Sequence, residues 1–276
     1  ITPKRISSAE LTVADAEYTG APLEPAVTVI LDGKTLKAGT DYTADYSDNV
    51  NVTAGSAKAS VTVTGKGNYT GAVDAEFAIT PMDISKLSIE DIPAQVYAGQ
   101  AVRPEVTLRN GDVLLVAGVD YSVEYQNNEA VTKTAKAVIT GKGNYKGSVT
   151  KTFVITALSI EDAEISGIAD TVVYSGEDIE FSGIKVTVNG IQLANGTDYT
   201  VAYKNNHDVT TDELASVIIT GQGNYGGEVS RTFTITAKNI VRCSIDPIGG
   251  QIYTGSPVTP EIVVRDGAIV LEKDKD

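Results

Sequence analysis

Tryptophan is absent from this chain, cysteine, histidine and methionine occur once each, and no apolar run is long enough to cross a bilayer. Each shortage removes a function class. With His207 alone, neither a catalytic triad nor a histidine-rich metal site can be assembled. With Cys243 alone there is no intramolecular disulfide and no dithiol chemistry; the residue lies in a strand-like stretch, where a buried small apolar side chain is expected. Basic residues are also scarce, 22 against 36 acidic ones. A net charge of −14 repels phosphate backbones and anionic lipid heads, so nucleic acid is excluded as a partner. No basic n-region leads into an apolar h-region, and no membrane insertion is expected.

What the chain has instead is self-similarity. GKGNY spans Gly65 to Tyr69, recurs at Gly141 to Tyr145, and returns as GQGNY at Gly221 to Tyr225. Tyr18, Tyr97, Tyr174 and Tyr253 keep the same beat, as do Asp41-Tyr42, Asp120-Tyr121 and Asp198-Tyr199. A period of about 78 residues is too long for a solenoid turn or a propeller blade and fits a small domain strung in an array. The repeats are assigned to residues 4–80, 81–156 and 157–236, with a partial fourth at 237–276. Asp276 aligns with Asp41, Asp120 and Asp198, and Ile1-Thr2-Pro3 matches Ile79-Thr80-Pro81, so both ends are expected to belong to a longer array.

Helical periodicity is nearly absent, whereas two-residue alternation is punctuated by Gly, Asn, Asp and Pro. Tyr42, Ala44 and Tyr46 share one face of a strand, like Tyr121, Val123, Tyr125 and Tyr199, Val201, Tyr203, with Thr43, Asp45, Ser122 and Glu124 opposite. The next strand carries Ala59, Val61, Val63 and its equivalents; the closing strand puts Phe77, Phe153 and Phe233 at one repeat position, the expected centre of each core. A hairpin tip falls at Asp32-Gly33, Asn110-Gly111, Asn189-Gly190 and Asp266-Gly267, the dipeptides of a type I′ turn. The tip slides by one residue in the second and fourth repeats while the strand ends stay fixed. The pattern predicts an all-β chain of tandem immunoglobulin-like sandwiches in an elongated array, joined by short segments such as Thr80 to Lys86.

Tyr-Thr-Gly-x-Pro with a second proline three residues on (Tyr18 to Pro25, Tyr253 to Pro260), Gly-Thr-Asp-Tyr (Gly39 to Tyr42, Gly196 to Tyr199), Tyr-x-Asn-Asn (Tyr125 to Asn128, Tyr203 to Asn206), Thr-Gly-Lys-Gly-Asn-Tyr and a closing Phe-x-Ile together carry a resemblance. The chain resembles the tandem bacterial immunoglobulin-like repeats of Gram-positive cell-surface and secreted proteins, over essentially its whole length. That resemblance implies a non-catalytic extracellular stalk, a monomer that presents neighbouring domains of its parent protein away from a cell wall. The alternative is an adhesin or carbohydrate-binding module whose loops contact host glycans or proteins; Val50 to Ala54, Glu129 to Thr132 and His207 to Leu214 differ between repeats as binding loops would. The second and third repeats depart from the opening motif, with Tyr-Ala-Gly-Gln and Tyr-Ser-Gly-Glu, and the third has Phe181-Ser182-Gly183 where the prolines belong. Its longer lead-in, Ala157 to Val173, has room for an extra strand or bulge.

No catalytic, cofactor-binding or metal-ligating residue is assigned, and no cofactor is expected. GKGNY lacks the Walker spacing and has no helix behind it, so it reads as a turn. Oxygens at Asp45, Asp48, Asn49, Asn51 and at Asn205, Asn206, Asp208, Asp212 invite a calcium reading, yet they match no EF-hand and do not recur in every repeat. Lys151 lies on the inward phase between Val149 and Phe153, where snorkelling at the sheet margin is expected over an isopeptide bond. Most of the 13 tyrosines recur at core positions rather than on a sugar-stacking face. Sequons at Asn51, Asn68 and Asn195 fall in turns.

Overall fold

A computed structural model describes residues 1–275. The chain is all-β, with single 3-10 turns at Ile84–Lys86 and Ile240–Arg242 as its helical pieces among the described residues. It divides into two units, Ile1–Leu158 and Ser159–Asp276, and each unit spans two of the sequence repeats.

Each complete repeat sets one antiparallel sheet against another. In the second repeat the first sheet is Ser88–Ile89, Leu108–Asn110 and Val113–Leu114. The second sheet runs in the order Gln95–Val96, Ser148–Thr156, Thr132–Gly141, Tyr121–Gln126, its first pair parallel and the others antiparallel. The third repeat repeats this with Glu164–Ser166, Lys185–Val188, Ile191–Gln192 and with Thr171–Val173, Glu228–Thr236, Ala215–Gly221, Tyr199–Lys204. In the first repeat the closing strand is broken into Ala72–Phe77 and Ile79–Thr80, because the Ala78 N–H donates to Asp15 Oδ1 at 2.7 Å. The result is an immunoglobulin-like sandwich without its usual tryptophan and disulfide.

Strand alternation puts the predicted faces inward. Ala59, Val61 and Val63 are fully buried, as are Ala135, Ala137, Ile139 and Ala215, Val217, Ile219. Phe77, Phe153 and Phe233 are buried at the closing-strand position. The space is finished by tyrosines that cross the sandwich. Tyr42, Tyr121 and Tyr199 donate to the carbonyls of Val27, Val106 and Ile184 in the facing sheet, at 2.8, 2.6 and 3.5 Å. Tyr46 and Tyr125 donate to Pro25 and Pro104, and lie edge-on to Phe77 and Phe153 at 6.2 and 6.3 Å. A ring thus supplies apolar volume while its hydroxyl ties the two sheets, which satisfies the polar atom it buries. Burial pushes the Tyr46, Tyr121, Tyr125 and Tyr199 phenols above their ordinary value, so they stay protonated as donors.

The sliding hairpin tip is a change of turn type, which corrects the uniform type I′ expectation. Asp32-Gly33 and Asn189-Gly190 have positive φ at both positions, 50° and 76°, 50° and 78°, as type I′ requires. In the second repeat Asn110 pairs with Val113, so the turn residues are Gly111 and Asp112, and only Gly111 has positive φ, 57°. Gly267 holds the same place in the fourth repeat at 60°. Glycine alone at the first central position marks type II′, and shifting the glycine by one residue is what keeps the strand ends in register.

Other expectations change as well. Thr80 to Lys86 is not a linker: Ile79–Thr80 closes the first repeat and Met82–Asp83 already pairs with Tyr145–Lys146 of the second, so Pro81 is the one residue between ladders. The lead-in of the third repeat holds no extra strand, since Leu158–Ser159, Glu164–Ser166 and Thr171–Val173 match the three segments of the second. Its added length lies in the turn at Gly167. In place of the proline pair, Phe181 meets Phe233 edge-on at 5.0 Å, and its N–H donates to Tyr203 Oη at 2.8 Å. Cys243 is half-buried rather than buried. The described part of the fourth repeat is one three-stranded sheet, Ser244–Ile245, Val264–Asp266, Ile269–Val270, with no second sheet to cover it, and none of its described residues is buried.

Candidate functional site

The residues that look most like ligands are used up in holding loops. The second Asn of the Tyr-x-Asn-Asn position has the same two bonds in all three complete repeats. Asn49 Nδ2 donates to the Leu23 carbonyl at 2.9 Å while its own carbonyl accepts from Leu23 N–H, also at 2.9 Å. Asn128 does the same with Val102, and Asn206 with Ile179. The preceding residue, Asp48, Asn127 or Asn205, takes positive φ of 53–55°, the left-handed conformation these side chains tolerate best. Asn49 and Asn206, two of the residues entertained for calcium, thus serve as loop clamps, and the described residues hold no group of three His, Cys, Asp or Glu placed to share a metal ion. Asn128 is 6% exposed, so Asn128→Leu should strand the Val102 carbonyl and destabilise the second repeat by about 1–3 kcal/mol. Native-state hydrogen exchange at the Val102 N–H reads this directly; protection equal to wild type would show the clamp to be idle.

The DY and GKGNY motifs interlock in the same way. The carboxylates of Asp41, Asp120 and Asp198 accept from the N–H four residues upstream at 2.8–2.9 Å. Lys66 and Lys142 Nζ donate to the Gly39 and Gly118 carbonyls at 3.0 Å, and the backbone N–H of Lys66, Lys142 and Gln222 donates to the DY aspartate carbonyl. The leading glycine has no room for a side chain: a Cβ at Gly65, Gly141 or Gly221 would lie 2.6–2.8 Å from the backbone nitrogen five residues on. GKGNY is a turn, not an anion cradle.

Lys151 pairs with Asp91 at 2.7 Å, and this contact holds the Asp91 carboxyl below its usual value. Asp91 is almost fully exposed, so the contact lies at the sheet margin. His207 is half-exposed in its loop, with Nδ1 2.8 Å from Asp178 Oδ1 and the ring edge-on to Tyr174 at 6.4 Å. It is an exposed loop residue that bridges two loops of the third repeat.

What the structure assembles from signature residues is the joint between the first and second repeats. Tyr18 packs on the cores of both. Its ring meets Tyr145 of the GKGNY motif edge-on at 5.4 Å. Burial raises the Tyr145 phenol above its ordinary value. Asn144, beside it, reaches back into the loop of the first repeat: its Oδ1 accepts from Val52 N–H at 2.9 Å and its Nδ2 donates to Asn51 Oδ1 at 3.0 Å. Asn110 at the hairpin tip donates to the Thr19 carbonyl at 3.0 Å. Lys86 clasps Glu17 with 2.8 and 2.6 Å contacts and holds that carboxyl below its usual value. A methyl group at Gly20 would come within 3.3 Å of Asn110 Nδ2, so the Tyr-Thr-Gly turn is shaped to the incoming hairpin. The third repeat meets the fourth likewise, Gly176 standing 3.2 Å from Ile269 Cδ1 by the same measure.

Sequence reasoning missed this use of the motifs. Its signal was available: a turn needs the glycines of GKGNY, but it does not need asparagine and tyrosine at the same two places in every repeat. Hollows beside loops are lined by Asp48 to Thr53 in the first repeat and Asn205 to Glu213 in the third, and a larger one in the second repeat is lined by Arg103, Glu105, Leu115, Tyr121 and Tyr125.

No protein-family profile and no curated protein matches the chain. Among solved structures, it is similar to the N-terminal eight immunoglobulin domains of Down Syndrome Cell Adhesion Molecule, isoform 1.30.30, at 13% identity and a TM-score of 0.26, over 84% of this chain and 36% of that one. It is also similar to SGBP-B of the Bacteroides ovatus mixed-linkage glucan utilization locus, solved with a mixed-linkage heptasaccharide, at 15% identity and a TM-score of 0.14, over 93% and 73% of the two chains. The chain thus spans about a third of the first neighbour's length. Neither likeness bears on what this chain binds. No helix of the described residues is long and apolar enough to cross a membrane.

Proposed function

We propose that the chain is a non-catalytic extracellular spacer of a bacterial cell-surface or secreted protein, one of the tandem bacterial immunoglobulin-like repeats, which holds other domains of its parent away from the cell wall. The observation that carries this reading is the joint between the first and second repeats, where residues of the recurring motifs, Tyr18, Asn144 and Tyr145, grip the neighbouring sandwich. A one-residue link, two interlocking aromatic rings and an asparagine that bonds across the boundary restrict bending between the first two repeats, as a spacer needs. The lone histidine and the motif carboxylates are engaged in loop contacts, which fits a structural role for them.

The test is nuclear relaxation on the whole chain. Amides of the first and second repeats should report one rotational correlation time, and Asn144→Ala should split it into two while leaving both sandwiches folded. Independent tumbling of the two repeats in the wild type would refute the spacer reading. Saturable binding on an array of glycans and matrix proteins would replace it with the adhesin alternative.

A further inference from the structure

The joint has two halves, and one of them recurs on the first repeat, where among the described residues it meets that repeat's own Lys4 and Lys34. In the second repeat that half consists of Asn144, Tyr145 and the hairpin tip. In the first repeat it consists of Asn68, Tyr69 and the tip at Asp32-Gly33. The frames match bond for bond. Met82 N–H donates to the Asn144 carbonyl at 3.1 Å and Lys4 N–H to the Asn68 carbonyl at 2.8 Å. Gly141 N–H donates to Gly147 and Gly65 N–H to Gly71, while Tyr145 N–H bonds to Lys142 and Tyr69 N–H to Lys66. Beneath them Ile84 and Ile6 are both fully buried.

The two halves differ in what covers them. Tyr145 is 5% exposed and Asn144 is half-buried with both ends of its amide bonded across the joint. Tyr69 is half-exposed, Asn68 is exposed, and the Asn68 amide has no hydrogen-bond partner among the described residues. The Tyr69 hydroxyl is met only by Lys34, whose Nζ lies 3.1 Å from it and 5.7 Å over the ring. Lys34 is exposed, so solvent leaves it room to swing aside. Two elements of the first joint have no counterpart: Ser8 stands where Lys86 clasps Glu17, and Asp32, paired with Lys4, has no side-chain N–H to donate as Asn110 does to the Thr19 carbonyl.

We propose that the face formed by Asn68, Tyr69 and the Asp32 turn is a docking surface for another repeat of the same kind, joined in cis through Ile1-Thr2-Pro3. Its occupant presents a Tyr-Thr-Gly turn to Tyr69 and the backbone N–H of an Asn-x-Thr loop to Asn68, as Tyr18 and Val52 do for Tyr145 and Asn144. The match of Ile1-Thr2-Pro3 with Ile79-Thr80-Pro81 supplies the link geometry already seen at Pro81. The proposal rests on the geometry of the first joint and holds or fails independently of the extracellular reading.

The test lengthens the chain by placing its own residues 4–78 ahead of Ile1 and maps tyrosine nitration by tetranitromethane. In the 276-residue chain Tyr69 should react and Tyr145 should not. In the lengthened chain Tyr69 should fall to the reactivity of Tyr145, and Asn68→Ala should restore its nitration with Tyr145 still protected as the control for folding. Hydrogen exchange at the added copy of Val52 N–H should slow in parallel. Unchanged nitration of Tyr69 in a lengthened chain whose added core tyrosines are protected would overturn the proposal. So would protection that appears when unlinked chains are mixed, since that would assign the face to self-association.

Discussion

Phe153→Ala should destabilise the second repeat by about 3–5 kcal/mol, the cost of losing a buried aromatic ring and leaving much of its volume empty. The ring is 3% exposed, packs with Ala135 and Ile155, and takes the edge of Tyr125 on one side. Neighbours cannot collapse into the space easily, because Tyr125 is tethered by its hydroxyl to Pro104 and Ala135 has only a methyl group. The loss should be confined to one sandwich. Hydrogen exchange at Ile139 should speed up while Ile219 of the third repeat is unchanged, since the two lie in different units. A loss below about 1 kcal/mol would mean that the ring is not the centre of its core.

Gly167→Ala should be the most damaging methyl addition in the third repeat. Gly167 has φ of 85°, and a Cβ there would lie 2.0 Å from the Gly183 carbonyl oxygen and 2.6 Å from its carbon. Backbone, not a flexible side chain, blocks the space. Relieving the overlap must pull Glu164–Ser166 away from Lys185–Val188, the pairing that frames the first sheet. A cost of at least about 2 kcal/mol is expected from the conformational strain and the lost ladder together. Gly190→Ala supplies the comparison: φ is 78° but nothing lies within 4 Å, so only the backbone preference is lost, about 1 kcal/mol. Equal losses in the two variants, read by exchange at Val186, would show that the close approach is not rigid.

The core was legible because alternation in a strand is a purely local signal. Tyr42, Ala59, Val61, Val63 and Phe77 could be placed inward from their spacing alone, and they are buried. The hairpin tips were legible in place and only partly in type. Asn110-Gly111 satisfies the composition of a type I′ turn, but the pairing of Asn110 with Val113 moves the glycine to the first central position and makes the turn type II′. Register decides between them, and register is set by the facing strand. The same limit hid the work of Asn49, Asn128 and Asn206. Their amides look like free oxygens in sequence, whereas the loops they clamp lie more than twenty residues away.

The sequence by itself determined that the chain is a string of equivalent β modules with greasy interiors, because period, strand phase and turn chemistry are each written within a few neighbouring residues. Only the tertiary structure decided what the signature tyrosines and asparagines touch: facing carbonyls across a sandwich, a distant loop, or the neighbouring repeat. Those partners stand far apart in the chain, as Tyr18 and Tyr145 or Asn51 and Asn144 do, and no local pattern encodes which group folding will bring to which.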